Sequence, residues 1–131
     1  MIGCSFGGTM TSYTAALDDR IRAAVPVCYL STLFSALTEQ NGNTCGAQYS
    51  PGLLTDGDIP SVLGLIAPRP QMVQIARGDD CFRYPDAALA AEHLAAIYEA
   101  AGARDALELH VFDGVHEIDV EPALEFFQRT L

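Results

Sequence analysis

Basic side chains are scarce in this chain. Its 131 residues include 7 lysines and arginines against 17 aspartates and glutamates, which gives a formal net charge of -10. A surface of this sign repels nucleic acid and anionic lipids, and no local basic cluster offsets the repulsion. The composition therefore argues against nucleic-acid and membrane-surface binding, and we expect neither kind of partner.

The chain also lacks long apolar runs and closely spaced cysteines. No stretch approaches the roughly 20 apolar residues that span a bilayer, and no charged region followed by an apolar run marks an export signal. This favours a cytoplasmic location for the chain as given. The four cysteines, Cys4, Cys28, Cys45 and Cys81, form no C-x-x-C pair, so we predict neither a zinc site nor a redox motif. Thiol and disulfide states both remain open for Cys45 and Cys81.

What the chain does contain is enough apolar sequence for one core. Half of its residues are hydrophobic, which predicts a single domain over residues 1–131. Three short apolar runs, at 23–30, 71–76 and 107–112, alternate with helical patterns. This alternation predicts an α/β fold with parallel strands and crossover helices. A long polar segment at 31–57, with turn signals at 41–43 and 51–52, separates the first two strands.

The first residues contain a G-x-S-x-G pattern, Gly3-Cys4-Ser5-Phe6-Gly7. In folds that use this pattern, the serine lies on a sharp turn between a parallel strand and a helix, with its hydroxyl exposed. Apolar residues at helical spacing predict that helix over Phe6–Leu17. Only two residues precede the pattern, so we expect the strand before it to be absent. The pattern is common by chance and needs chemical partners to gain meaning.

Suitable partners follow in the order that this fold uses. A serine nucleophile needs a histidine to accept its proton and a carboxylate to orient the histidine. Asp79 and Asp80 come just after the second predicted strand, and His116 comes just after the third. Ligands bind outside the carboxyl ends of parallel strands, so all three lie where a site is expected. His93 falls within a predicted helix and His110 within a strand, which favours surface or packing roles for both.

Three stretches give the chain a family resemblance. They are residues 2–9 with 16–21, residues 45–54 with the A-P-R-P sequence at 67–70, and residues 111–117. In order and spacing they resemble the alpha/beta hydrolases, and within them the dienelactone hydrolase-like and acetyl xylan esterase-like branch. The resemblance covers the C-terminal portion of that fold. It implies that the N-terminal strands are absent and that a missing N-terminal segment or a second copy of the chain completes the sheet.

The resemblance also assigns roles to individual residues. It makes Ser5 the nucleophile and His116 the general base, and it places the acid nine residues after Pro70, at Asp79, with Asp80 as the alternate. The backbone N–H of Phe6 would supply one donor to the oxyanion hole. This chemistry requires no cofactor and no metal.

The expected function is a serine carboxylic-ester hydrolase that uses a Ser-His-Asp triad. Its substrates would be small esters or acetylated carbohydrates. The polar segment at 31–57 either covers the site, with Cys45 and Tyr49 in its wall, or is a solvated connecting loop. The alternative is a truncated and catalytically silent alpha/beta hydrolase fragment, or an interaction module that retains the triad residues by descent.

Overall fold

The protein is built on a parallel β-sheet. The computed structural model describes residues 1–38 and 45–131. Its strands are β1 (Ile2–Cys4), β2 (Val25–Val27), β3 (Gln71–Ala76) and β4 (Leu107–Phe112), and they lie side by side in the order β1-β2-β3-β4. Each neighbouring pair is parallel. The carboxyl ends of all four strands therefore meet at one edge of the sheet, as the fold prediction requires.

Helices connect the strands and close the chain. They are α1 (Phe6–Leu17), α2 (Leu33–Thr38), α3 (Leu53–Asp56), α4 (Ile59–Gly64), α5 (Tyr84–Ala100) and α6 (Val120–Thr130), with 3-10 turns at Gly46–Gln48 and Arg104–Ala106. The bounds of α1, β3 and β4 are those expected from the sequence. None of the helices in the described ranges is long and apolar enough to cross a membrane.

A short strand does precede the nucleophile turn, contrary to the sequence prediction. Ile2–Cys4 pairs with Val25–Val27, with Ile2 opposite Val25. Three residues are enough to form this strand because β2 supplies their hydrogen-bond partners. The strand therefore needs no periodic pattern in its own sequence. Strand β1 forms an edge of the described sheet, and the side chains of Met1, Ile2, Phe6 and Met10 beside it are exposed.

Two further expectations are corrected. β2 covers Val25–Val27 instead of the predicted 23–30, and Ala24 before it forms only an isolated bridge to Gln71. The strand ends at Val27 because Cys28 has a φ of 48°, in the left-handed region. The predicted polar segment at 31–57 contains α2, a 3-10 turn and α3. Its predicted turn at 41–43 lies outside the described residues, whereas the turn at 51–52 is present.

Helices cover both faces of the sheet. Leu63 of α4 and Leu94 and Tyr98 of α5 pack in one core with Val73 and Ile75 of β3. Ala123 and Phe126 of α6 pack in a second core, whose strand residues are Val25, Val27, Met72 and Ala76. Burial on both faces accounts for β2 and β3, in which every residue is buried.

The amino ends of the strands are tied together by Arg69. Its guanidinium donates hydrogen bonds to the carbonyl oxygens of Ala15 (2.6 Å), Asp18 (3.0 Å) and Ile21 (2.8 Å). These carbonyls belong to the end of α1 and to the turn that leads into β2. The arginine thus satisfies acceptors that the helix end leaves open and fixes α1 to the start of β3.

Candidate active site

Ser5 lies in the sharp turn between β1 and α1, in a strained backbone conformation. Its φ is 58° and its ψ is -118°, a combination that is rare for a residue other than glycine. A Cβ atom at Gly3 would overlap the backbone of Gly7, so the turn can close only with glycine at position 3. Strain of this kind is typical of a nucleophile that must stand clear of its strand.

The Ser5 side chain is half-buried and is not used to cap the helix. The residue stands at the N-cap position of α1, but its hydroxyl makes no capping hydrogen bond. Its backbone N–H donates to the carbonyl of Val27 at 3.0 Å, which fixes the turn to β2. Phe6 is the first residue of α1, where backbone N–H groups have no intrahelical acceptor. The Phe6 N–H therefore has no acceptor within α1.

Asp79 lies in the turn after β3 with its carboxylate buried. The residue is 4% exposed, and its Oδ1 atom accepts hydrogen bonds from the backbone N–H groups of Cys81 (2.7 Å) and Phe82 (3.0 Å). These bonds orient the carboxylate toward His116. Asp80 is exposed to solvent and makes no contact of this kind among the described residues.

His116 lies in the loop after β4 and pairs with Asp79. The histidine Nδ1 atom is 3.0 Å from both carboxylate oxygens of Asp79. Because a carboxylate can only accept, Nδ1 carries the proton, and Nε2 is the nitrogen that can take a proton from elsewhere. The ring of Phe82 stacks on the imidazole, with the ring centres 6.2 Å apart.

A chain of contacts joins the serine turn to the histidine. A Cβ atom at Gly8, in the first turn of α1, would come within 2.8 Å of the Tyr29 Cβ atom, so the start of α1 lies directly against Tyr29. The Tyr29 ring meets the Phe82 ring edge-on at 5.8 Å, and Phe82 stacks on His116. The structure therefore brings Ser5, Asp79 and His116 to the same edge of the sheet.

Cys28, which follows β2, lies beneath this arrangement. The residue is 3% exposed, and its Sγ atom is 3.5 Å from the carbonyl oxygen of Glu117 in the histidine loop. Burial raises the pKa of the Cys28 thiol, with a further contribution from the nearby carboxylate of Asp79. The thiol is therefore protonated at neutral pH and can donate to the loop carbonyl.

Cys28, Asp79 and His116 also form a group that could hold a metal ion. Within the described ranges, their ligand atoms all lie within 4.8 Å of one another. Spacing along the chain did not predict this group, because its members come from different strands. A metal ion needs the thiolate and would occupy the carboxylate that His116 uses. The raised thiol pKa favours the protonated thiol and the Asp79–His116 pair.

A small cavity lies beside Phe82, on the side of α2 and the 3-10 turn at Gly46–Gln48. Its volume is about 120 Å³. The predicted wall residues Cys45 and Tyr49 both line it. The amide nitrogen of Gln48, a buried residue that also lines the cavity, has no hydrogen-bond partner in residues 1–38 and 45–131. The remaining walls are mostly apolar and include Tyr29, Leu33, Ala36, Leu37 and Ile59.

The other two histidines have different surroundings from His116. His93 is exposed on α5, whereas the Nε2 atom of His110 is 2.8 Å from an Asp119 carboxylate oxygen. The sequence reasoning missed Phe82 and Gln48, for which no sequence signal exists. It also missed Cys28, because the predicted strand at 23–30 contains this residue and only the structure ends the strand at Val27. All four cysteines are free thiols.

Comparisons with known proteins agree on the fold. No protein-family model matches the chain. A putative hydrolase of Bacillus subtilis, YtaP, is 33% identical over 105 residues, which are 79% of this chain and 35% of the relative. A carbohydrate esterase family 15 glucuronoyl esterase from Caldicellulosiruptor kristjansonii matches 99% of the chain and 42% of its own length, with a TM-score of 0.79 and 19% identity.

A glucuronoyl esterase from Solibacter usitatus matches similarly, with a TM-score of 0.76 and 18% identity over 98% of this chain and 41% of its own. The chain thus spans between one third and about two fifths of the length of these proteins. The four-stranded parallel sheet with its helices corresponds to part of their common fold. The chain therefore has the fold of part of an alpha/beta hydrolase.

Proposed function

We propose that this chain carries the catalytic residues of a serine carboxylic-ester hydrolase, with Ser5 as nucleophile, His116 as general base and Asp79 as the acid that orients it. One observation carries the proposal. The buried carboxylate of Asp79 is held by two backbone N–H groups and pairs with Nδ1 of His116, at the sheet edge where Ser5 occupies a strained turn. Asp80 points to solvent and is not part of the proposed triad.

In the proposed reaction, the Ser5 hydroxyl attacks the ester carbonyl while Nε2 of His116 accepts its proton. The imidazolium that forms is stabilised by the Asp79 carboxylate on Nδ1. The backbone N–H of Phe6 donates to the carbonyl oxygen as negative charge develops there. His116 then returns the proton to the leaving alcohol, and a water molecule hydrolyses the acyl-serine by the same steps in reverse.

The substrate we propose is an ester with a small acyl group, carried by a carbohydrate. The cavity beside Phe82, at about 120 Å³, is well below the roughly 300 Å³ at which pockets for drug-sized ligands begin, and this favours acetyl over a long chain. The unpartnered amide nitrogen of Gln48 can donate to a hydroxyl or carbonyl oxygen of the substrate. The similarity to carbohydrate esterases supports this substrate class.

A second candidate is a catalytically silent fragment or interaction module. The chain spans about a third of its curated relative, and Phe6 is the oxyanion donor that we can name. Loss of one donor from such a hole typically lowers turnover about 100- to 1000-fold. The exposed apolar residues beside β1 favour a further sheet element or a second copy of the chain at that edge.

Hydrolysis of p-nitrophenyl acetate tests the proposed function. We expect this polypeptide to release p-nitrophenol above the buffer rate and Ser5→Ala to abolish that excess, with both proteins giving the same circular dichroism spectrum. Equal rates for the two proteins would favour the silent-fragment alternative. An arm with the C8 ester p-nitrophenyl octanoate tests the small cavity, and a higher rate on octanoate would contradict the proposed acyl preference.

A further inference from the structure

Gln74, in the middle of β3, is a polar residue in an apolar core. It is fully buried, on the face of the sheet that α6 covers. Its side-chain nitrogen donates to the backbone carbonyl of Asp119 at 2.7 Å, and its side-chain oxygen accepts from the backbone N–H of Asp119 at 3.0 Å. Both ends of the amide are therefore used by the backbone of a single residue.

Asp119 is the residue at which the histidine loop ends and α6 begins. It occupies the N-cap position of α6, but its side chain makes no capping bond. Instead, its carboxylate lies 2.8 Å from Nε2 of His110 on β4, and the His110 ring stacks on Phe112 with the ring centres 5.7 Å apart. The far end of the loop is thus attached to β3 by the Asp119 backbone and to β4 by its side chain.

The near end of the same loop is attached to the turn that carries Asp79. The backbone N–H of Arg77 donates to the carbonyl of Phe112 at 3.0 Å, and that of Gly78 donates to the carbonyl of Gly114 at 2.9 Å. His116 lies between the two attachments. The near end is fixed beside Asp79, and the Cys28 thiol lies against the Glu117 carbonyl. The far end is therefore a further point at which the position of the imidazole is set.

We propose that Gln74 is a positioning residue for His116: through its two hydrogen bonds to Asp119 it sets the geometry of the Nδ1 contact with Asp79. The expected fall in kcat rests on the proposed esterase function. The expected change in the contact between His116 and Asp79 does not. A methionine at this position would fill the same space in the core and remove both bonds. The Asp119 N–H and carbonyl would then lose their partners, and the loop end would shift to find others.

The chain offers a matched control in the same strand. Gln71 is also fully buried in β3, yet neither its side-chain nitrogen nor its oxygen has a hydrogen-bond partner. Gln71→Met is therefore also a change from a buried glutamine to methionine, but it removes no hydrogen bond to the histidine loop. We expect this variant to be as stable as the unchanged protein or more so, because it removes unsatisfied polar atoms from the core.

The first test is kinetic. Gln74→Met should lower kcat for p-nitrophenyl acetate about 10- to 100-fold while KM stays within about twofold, since a small misplacement of a catalytic group affects the reaction step. Gln71→Met should change neither constant. Asp119→Ala, which keeps the backbone bonds to Gln74 and loses the His110 contact, should give a smaller fall in kcat. A folded Gln74→Met protein with unchanged kcat would overturn the proposal.

The second test does not require hydrolysis. In the unchanged protein and in Gln71→Met, proton NMR should show a low-field His116 Nδ1–H resonance from the bond to Asp79, and Asp79→Asn identifies it by its loss. In Gln74→Met the resonance should weaken or disappear, and amide exchange over residues 113–119 should accelerate. An unchanged resonance and unchanged exchange would overturn the proposal even if the chain proved to be no esterase. Gln74→Asn, which keeps a buried amide but is one methylene too short to make both bonds to Asp119, gives a milder perturbation for the same readout if Gln74→Met does not fold.

Discussion

The two ends of the parallel sheet are built for different purposes. At the amino ends, the Arg69 side chain donates to four backbone carbonyls, and this charged group is fully engaged in holding α1 against the strands. At the carboxyl ends, the Ser5 hydroxyl makes no capping bond, and the Gln48 amide nitrogen has no partner. The charged group at the amino ends is thus held by the backbone, whereas these two polar groups at the carboxyl ends make no such bonds among the described residues.

The largest expected effect is on kcat and concerns two adjacent acids at the carboxyl ends of the strands, Asp79 and Asp80. Asp79→Asn keeps the shape of the side chain but removes the charge that stabilises the imidazolium, and an amide can hold the wrong tautomer of His116. We expect kcat for p-nitrophenyl acetate to fall about 10,000-fold, as in triads of this type. Asp80→Asn, which alters an exposed residue, should leave kcat within about twofold. A larger loss in Asp80→Asn than in Asp79→Asn would reverse the assignment.

At the amino ends, the expected effect is on stability and not on turnover. Arg69→Met leaves the carbonyls of Ala15, Asp18 and Ile21 without their donor, so the free energy of unfolding should fall by about 3 kcal/mol. Arg22 is exposed, and Arg22→Met should change the free energy of unfolding by less than about 0.5 kcal/mol. Urea denaturation followed by circular dichroism measures both. A loss of kcat in folded Arg69→Met would contradict the assignment of stability to the amino ends and of catalysis to the carboxyl ends of the strands.

A smaller effect distinguishes two glycines beside Ser5. A Cβ atom at Gly8 would lie 2.8 Å from both the Val27 carbonyl oxygen and the Tyr29 Cβ atom, whereas a Cβ atom at Gly7 meets no atom within 4 Å. Gly8→Ala should therefore destabilise the protein by about 1–3 kcal/mol through overpacking. Gly7→Ala should be neutral or stabilise it by up to about 1 kcal/mol, because alanine favours the helix. Equal melting temperatures for the two variants would contradict the close packing of α1 on Tyr29.

Much of the fold could be predicted because the local pattern and the tertiary structure agree. The helical spacing in α1 and the apolar runs of β3 and β4 each indicate a single type of element, and their bounds match the structure. Strand β1 could not be predicted, since three residues carry no periodicity and depend on β2 for their hydrogen bonds. The early end of β2 depends on the left-handed backbone of Cys28, which no local pattern indicates.

The candidate site also has features that the sequence indicates and features that only the fold determines. The order of Ser5, Asp79 and His116 at strand exits is visible in the sequence, because the ends of parallel strands converge in space. The choice of Asp79 over Asp80 rests in the structure on the backbone N–H groups of Cys81 and Phe82, which hold one carboxylate and leave the other in solvent. The link between Gln74 and Asp119 spans 45 residues, and only the fold brings the two together.

Labelling with a fluorophosphonate tests most directly whether Ser5, His116 and Asp79 form a working nucleophilic site. The reagent phosphonylates a serine that a histidine has activated, and it needs no knowledge of the natural substrate. The account predicts a single mass addition on the peptide that contains Ser5, strongly reduced in Asp79→Asn, undiminished in Asp80→Asn and absent in Ser5→Ala. No addition to the folded, unchanged protein, or equal addition to Ser5→Ala, would contradict it.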